Sequence, residues 1–331
     1  MKRILYLTIS LLIIVALMSA GPALAAAKWK IKFGHDHKED SAHHKAALFM
    51  KKKIEEGSNG EIQISIYPTQ LLGTGIQMVE MVQAGALELL AVPTSNVQVI
   101  HPPLQILGLP FLFENREELH KALDGNFGQS LAEPLLEKNI IGLTYWESGF
   151  KQLTCNYPIH KPDDLKGRKF RIMPSPVIRE QFKSLGASPV PIDFQELYNA
   201  LQQGVVDGQE NPLMTIVMMK FYEVQKYVTL SNHAWLGYLV MVNKSFYDSL
   251  PQKYQTLILE TAKESAVMER KMIGAEDQSF LETIKKSNTE VIELDPNQIK
   301  EFQQKVQPVY EWFVQNIDGG KKYLDMIKAT P

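Results

Sequence analysis

One cysteine, Cys155, is all that 331 residues carry, so no internal disulfide staples the chain. Positive charge is not in excess either: 35 Lys and Arg stand against 37 Asp and Glu, for a formal net charge of -2. That balance makes nucleic acid and an anionic membrane surface unattractive partners. Past Met18 no apolar run is long enough to span a bilayer. There is no exact repeat, low-complexity tract or extended Gly/Ser linker. No nucleophile-base pair, phosphate loop or dinucleotide fingerprint stands at usable spacing, so neither catalysis nor a cofactor has support.

What is present begins with Met1-Lys2-Arg3, an apolar run from Ile4 to Met18, and the small residues Ala23-Leu24-Ala25-Ala26-Ala27. That order reads as a secretory signal peptide with cleavage after Ala25. The rival reading is an uncleaved N-terminal anchor, which the small residues following so closely on the apolar core disfavour. Cleavage removes Lys2 and Arg3 with no acidic residue, taking the net charge from -2 to -4. Cys155 lies far from where a lipoprotein needs its lipidated cysteine. The expectation is a soluble periplasmic protein, with no direct membrane insertion once the signal is removed.

About 300 mature residues, 45% hydrophobic over the whole chain, bury a large core and usually divide into two domains. Trp29, Ile31 and Phe33 alternate with lysines in a half-buried strand. A helix from about Ala42 to Glu56 and an alternating strand from Ile62 to Tyr67 complete a strand-helix-strand unit. A helix from Ile76 to Ala84, a strand from Leu87 to Val92 and the apolar run Leu109 to Phe113 extend it. The pattern predicts an α/β fold with a largely parallel sheet covered by helices. From Gly149 it restarts, with strands Lys151 to Asn156, Arg168 to Met173 and Ser188 to Pro191 around a helix from about Pro176 to Leu185. Gln252 to Lys286 reads as one helix of roughly 50 Å, long enough to cross both lobes. The expected division is residues 26–148 with about 237–276 for one lobe, and 149–236 with about 277–331 for the other.

In Lys169-Phe170-Arg171-Ile172-Met173, a period of two sends Phe170 and Ile172 into the packed side and Lys169, Arg171 and Met173 to the other. Arg171 is then either an arginine on a solvated face or a planar two-donor fork for a carboxylate. Val206 to Pro212 reads as a polar turn between a helix from Phe194 to Val205 and another starting at Pro212. There Asn211 is a helix cap, a ligand contact, or both. His35, His37, His43 and His44, with Asp36 among them, invite three readings: a zinc site, ligand contact through Asp36 or His37, or ordinary loop and cap roles. His43 and His44, adjacent on a helix, point in different directions, which argues against a shared metal. Trp146 and Trp235 either wall a cleft or pack in the core.

These residues also carry a resemblance. Gly149-Phe150-Lys151-Gln152, Pro162 to Gly167, Arg171, Gly186 to Pro189, Glu196 to Gln202 and Val206 to Pro212, in this order and spacing, closely resemble the solute-binding proteins of TRAP transporters, the DctP-like family. Leu72-Gly73, Gly85, Leu109 to Phe113, Asn232-His233 and Leu250-Pro251 look like the same family. The resemblance implies a two-lobe, type II-like periplasmic binding fold that closes on a small organic acid, dicarboxylates among the candidates, and delivers it to a membrane permease. It implies that Arg171 makes the main salt bridge to the ligand carboxylate and that Asn211 hydrogen-bonds it. Lys151 stands where many members have a second arginine, keeping the charge and losing the fork. The acidic residue near Pro93 or Thr94 and the asparagine near Pro174 expected of a sialic-acid-type member are absent. The ligand contacts expected are therefore Arg171, Asn211, Lys151, Asp36, His37, Met173, Trp146 and Trp235. A periplasmic metal carrier built on the histidines, or a co-receptor for a sensor, are the alternatives.

Overall fold

A computed structural model describes residues 27–329; the expected signal peptide lies outside them. Ten strands share one connected sheet through a single long strand, β4 (Ile140–Cys155). On one side of it lie β2 (Ile62–Tyr67), β1 (Trp29–His35), β3 (Leu89–Pro93) and β9 (Trp235–Asn243), in that order up to β4. On the other lie β7 (Gly208–Pro212), β5 (Lys169–Ile172) and β6 (Ser188–Pro191). Off this path β8 (Tyr227–Leu230) pairs with β4, and β10 (Glu290–Glu293) pairs with β8. The two wings are the sheets of two lobes.

The sheet is mixed rather than largely parallel. β1 runs parallel to β2 and β3, and β5 to β6 and β7. β9 is antiparallel to both of its neighbours, and β4 to β7, β8 and β9. β9 is buried at every position. Its near-continuous apolar run offers no alternation to read, so periodicity gives it no signature. β4 begins well before Gly149 and passes through the junction with a register shift between Glu147 and Gly149. Gly149 there has φ 107°, a left-handed value that a Cβ would strain.

Two expectations need correction. Leu109 to Phe113 is no strand: it follows the 3-10 segment Pro102–Gly108, and Phe111 takes φ 56° while its N–H donates to the His233 carbonyl at 2.8 Å. The polar stretch at 206–212 is mostly β7, a buried strand between β4 and β5, and the segment before it is a 3-10 turn running into the short helix Leu197–Gln202. Polar residues tolerate that burial because neighbouring strands partner them. Gln209 Nε2 donates to Thr154 Oγ1 at 3.0 Å, and the Thr154 hydroxyl donates to Gln225 Oε1 at 2.8 Å.

The long helix spans Gln252–Lys285, 34 residues and roughly 50 Å. Ile258, Ala262 and Ala266 pack with Ile31, Phe33, Ala46 and Met50 in the first lobe. Ile273 and Phe280 join Ala42 and Met214 at the junction, and Ile284 reaches the second-lobe cluster around Leu201 and Phe221. One rigid helix thus braces both lobes, as its length predicts. The helix Pro296–Asn316 packs on Pro176–Ser184, whereas the final helix Gly320–Lys328 returns to the first lobe, where Tyr323 donates to the Ser130 carbonyl at 3.2 Å. No helix among the described residues is long and apolar enough to cross a membrane.

Candidate functional site: a charged cavity between the lobes

Between the two wings lies a cavity of about 240 Å³. Arg171 reaches it from β5. Phe170 and Ile172 are fully buried in the core on the opposite face, stacked on Phe182 in the case of Phe170, so the alternation holds. Arg171 is only 2% exposed, and its Nε donates to the Ile192 carbonyl at 2.9 Å. That bond orients the guanidinium and leaves its two terminal nitrogens as a fork. Burial lowers the arginine to about 10, with the carboxylates of Asp193 and Glu210 opposing the shift. Arg171 is therefore a cation at neutral pH, held where charge is poorly solvated.

Asn211 joins the wall from β7, its Nδ2 donating to Gln209 Oε1. It is a strand residue paired with Gln152, not a helix cap; Pro212 caps the helix Leu213–Met218. Met173 lines the same wall. From the first lobe come Gln70, Thr74, Gly75 and Asn96, with Asp36 just past β1. Thr74 caps the helix Gly75–Ala84 in a reciprocal box with Gln77, which fixes that corner of the cavity.

Asp36 and Tyr238 form the cavity's titratable edge. Tyr238 Oη lies 3.3 Å from Asp36 Oδ2 and 2.9 Å from His37 Nε2. Burial drives His37 down to about 3, so it is neutral. An Nε2–H tautomer then donates to the phenol, and the phenol donates to Asp36. Burial raises Asp36 to about 7, and its Oδ1 is buried with no partner. His37 itself stands behind Tyr238 rather than in the cavity wall. The remaining histidines pack: His43 stacks on His37 at 4.5 Å between ring centroids, and His35 Nε2 lies 3.0 Å from His44 Nδ1. Burial lowers all of them. Among the described residues no three His, Cys, Asp or Glu gather as metal ligands.

Lys151, Trp146 and Trp235 sit elsewhere. Lys151 is 1% exposed, and its ammonium donates to Glu210 Oε1 at 2.5 Å beside a separate small void that Trp235 also borders. Trp235 donates its indole N–H to Glu147 at 3.1 Å, and Trp146 is wholly buried, donating to Ser265 at 3.0 Å. Asp193, Tyr238, Asn96, Gln70 and Thr74 are wall residues that sequence reasoning missed. Only Thr74 had a local signal, the Thr-x-x-Gln capping box.

Gly75 bears directly on this geometry. A Cβ there would overlap the Asn96 amide nitrogen. At the first position of a helix alanine is otherwise welcome, so Gly75→Ala should leave the melting temperature nearly unchanged while displacing Asn96. Ligand affinity measured by calorimetry should fall by about 1–3 kcal/mol, the cost of a misplaced polar partner.

Residues 33–316 match the DctP family, described as bacterial extracellular solute-binding protein, family 7. The chain is 35% identical over 284 residues to the C4-dicarboxylate-binding protein DctB of Bacillus subtilis, covering 85% of this chain and 81% of that protein. A TRAP periplasmic solute-binding protein from Sulfurospirillum deleyianum, solved with bound succinate, superposes with a TM-score of 0.87 at 35% identity, covering 92% of this chain and 100% of that one. The sugar acid binding protein DctPAm from Advenella mimigardefordensis, solved with galactonate, gives a TM-score of 0.88 at 33% identity over 92% and 100% of the two chains.

Proposed function

The chain belongs to the DctP family of bacterial extracellular solute-binding proteins, and on that premise we propose that it captures a small organic acid in the interlobe cavity, with Arg171 gripping the carboxylate. The observation that carries the reading is a guanidinium 2% exposed in the cavity wall, with only its Nε matched to a backbone carbonyl. A carboxylate on the terminal nitrogens supplies the counter-charge that burial demands, and the planar fork fixes its orientation. Asn211 and Met173 complete that side of the cavity.

The lobes close over the ligand through bonds made only when they meet. Lys38 Nζ donates to the Met218 carbonyl at 2.8 Å, Gln98 Nε2 to the Pro174 carbonyl at 3.1 Å, and Gln195 Nε2 to the Asp36 carbonyl at 3.3 Å. A ligand touching both lobes shifts the population toward this form by its differential affinity. Closure also removes water from the ion pair and strengthens it. The closed, loaded protein is what a TRAP permease in the membrane receives; the family's periplasmic setting and the expected export signal at residues 1–25 agree with that partner. The metal-carrier reading of the histidines is not favoured, because the relative named above is a C4-dicarboxylate-binding protein and a solved neighbour holds succinate.

A thermal-shift panel of organic acids tests the assignment, using protein freed of copurified ligand by unfolding and refolding. An acid present at 100 times its dissociation constant adds about 2.7 kcal/mol. That corresponds to roughly 5 °C or more in melting temperature. No shift with any acid would overturn the reading.

A further inference from the structure

The cavity's charges are unequal in a way that bears on which acid fits. Its wall holds one cation, Arg171, and two carboxylates, Asp36 and Asp193. Lys151, the other cation near this region, is engaged with Glu210 and does not line it. Across from Arg171 the first lobe offers neutral groups: the Gln70 and Asn96 amides and the Thr74 hydroxyl. Asp193 Oδ1 already accepts the Gln195 backbone N–H at 3.1 Å. Asp36 differs: Oδ2 takes the Tyr238 hydroxyl, while Oδ1, buried and in a residue 3% exposed, has no donor.

A cavity-lining carboxylate with one buried oxygen left unpartnered calls for a further hydrogen-bond donor. A fully ionised dicarboxylate has none, being acceptor at both ends. Its second charge would also meet Asp36 and Asp193 in a poorly solvated space, without a second cation. Like charges a few ångströms apart there weaken binding by roughly a hundredfold or more. A hydroxyl group answers both demands: it donates to the Asp36 carboxylate and accepts from an amide of the first lobe. From this we infer that the cavity is built for a monocarboxylate carrying hydroxyl groups along its chain, a sugar acid of the aldonate type, and that Asp36 is the residue that reads those hydroxyls.

The inference rests on Arg171 as the carboxylate anchor, and the experiment separates the two. Calorimetry at pH 8, above the value of about 7 to which burial pushes Asp36, compares aldonates of four to six carbons, galactonate included, with succinate and other C4 dicarboxylates. The proteins are wild type, Asp36→Asn and Arg171→Ala. The tightest aldonate should bind wild type at least roughly tenfold better than the tightest dicarboxylate. Asp36→Asn should weaken the aldonate roughly tenfold or more while leaving the dicarboxylate unchanged or improved. A role confined to folding would move both alike. A dicarboxylate that binds wild type as tightly as any aldonate, and loses binding in Arg171→Ala, overturns the hydroxy-acid class and leaves the anchor standing. Equal loss of both ligands in Asp36→Asn overturns the role of Asp36. Binding of no acid, or binding indifferent to Arg171→Ala, overturns anchor and class together.

Discussion

Arg171→Ala should abolish the ligand-induced rise in melting temperature while the ligand-free protein melts no lower than wild type. Two opposite effects of burial combine in this result. Without a ligand the guanidinium carries a desolvation cost that Asp193 and Glu210 only partly offset, the reason it is lowered to about 10. Alanine removes that cost. Below pH 10 the arginine is charged in both the folded and unfolded chain, so the cost is present throughout the physiological range. In the occupied cavity the same charge is matched by the carboxylate, and deleting it strands an anion between the lobes. Breaking a buried pair in this way costs about 3–5 kcal/mol, enough to lower affinity by roughly two to four orders of magnitude. Arg171→Lys keeps the charge without the fork and should fall between the two. Calorimetry against the best-binding acid, together with thermal melts of all three proteins, decides it. Retained affinity in the alanine variant would remove Arg171 from the site.

The sequence's local periodicity reached some features and not others, and the division has a physical cause. Alternation in 169–173 placed Arg171 opposite Phe170 and Ile172, because a strand's two faces are fixed by its own residues. The uninterrupted pattern from 252 to 286 gave the long helix and its passage between lobes. Nothing local told whether Arg171 met solvent or a cavity. That depended on Ile192 from the next strand connection and on the first lobe closing above it. Tyr238 lies inside an apolar strand that reads as pure core, yet its hydroxyl reaches Asp36 from 202 residues away. Lys151 shows the reverse: a charge that looked available for a ligand is matched inside the lobe by Glu210, 59 residues on. The Asn-Pro pair at 211–212 carries a helix-start signal; pairing of both residues with β4 holds them in the strand, and the helix starts one residue later, at Leu213. A buried all-polar strand is legible only once its partners are known.

The largest loss of stability should come from Glu210→Ala. Glu210 is 3% exposed and serves three donors: Lys151 at 2.5 Å, His233 at 2.7 Å and Gln181 at 2.9 Å. Burial alone would raise its pKa, but Lys151 and His233 reverse the effect and hold it at about 2. Alanine leaves the Lys151 ammonium buried without a counter-charge, costing about 3–5 kcal/mol and roughly 10 °C in melting temperature. Replacing the ion pair together, Lys151→Met with Glu210→Leu, should recover the part of that loss due to the bare ammonium, while Gln181 and His233 still lack their acceptor. The sign of the pH dependence follows from the depressed carboxylate. Its contribution is complete above the unfolded value of 4.5 and disappears as pH falls toward about 2. Denaturant melts between pH 7 and 2.5 should therefore lose up to about 3 kcal/mol more in wild type than in Glu210→Gln. Because Glu210 stands next to Asn211 on β7, freeing it also loosens the strand that carries an edge of the cavity. Affinity for the acid should drop in Glu210→Ala although Glu210 does not line the cavity, and return in part in the apolar double variant as β7 is fixed again.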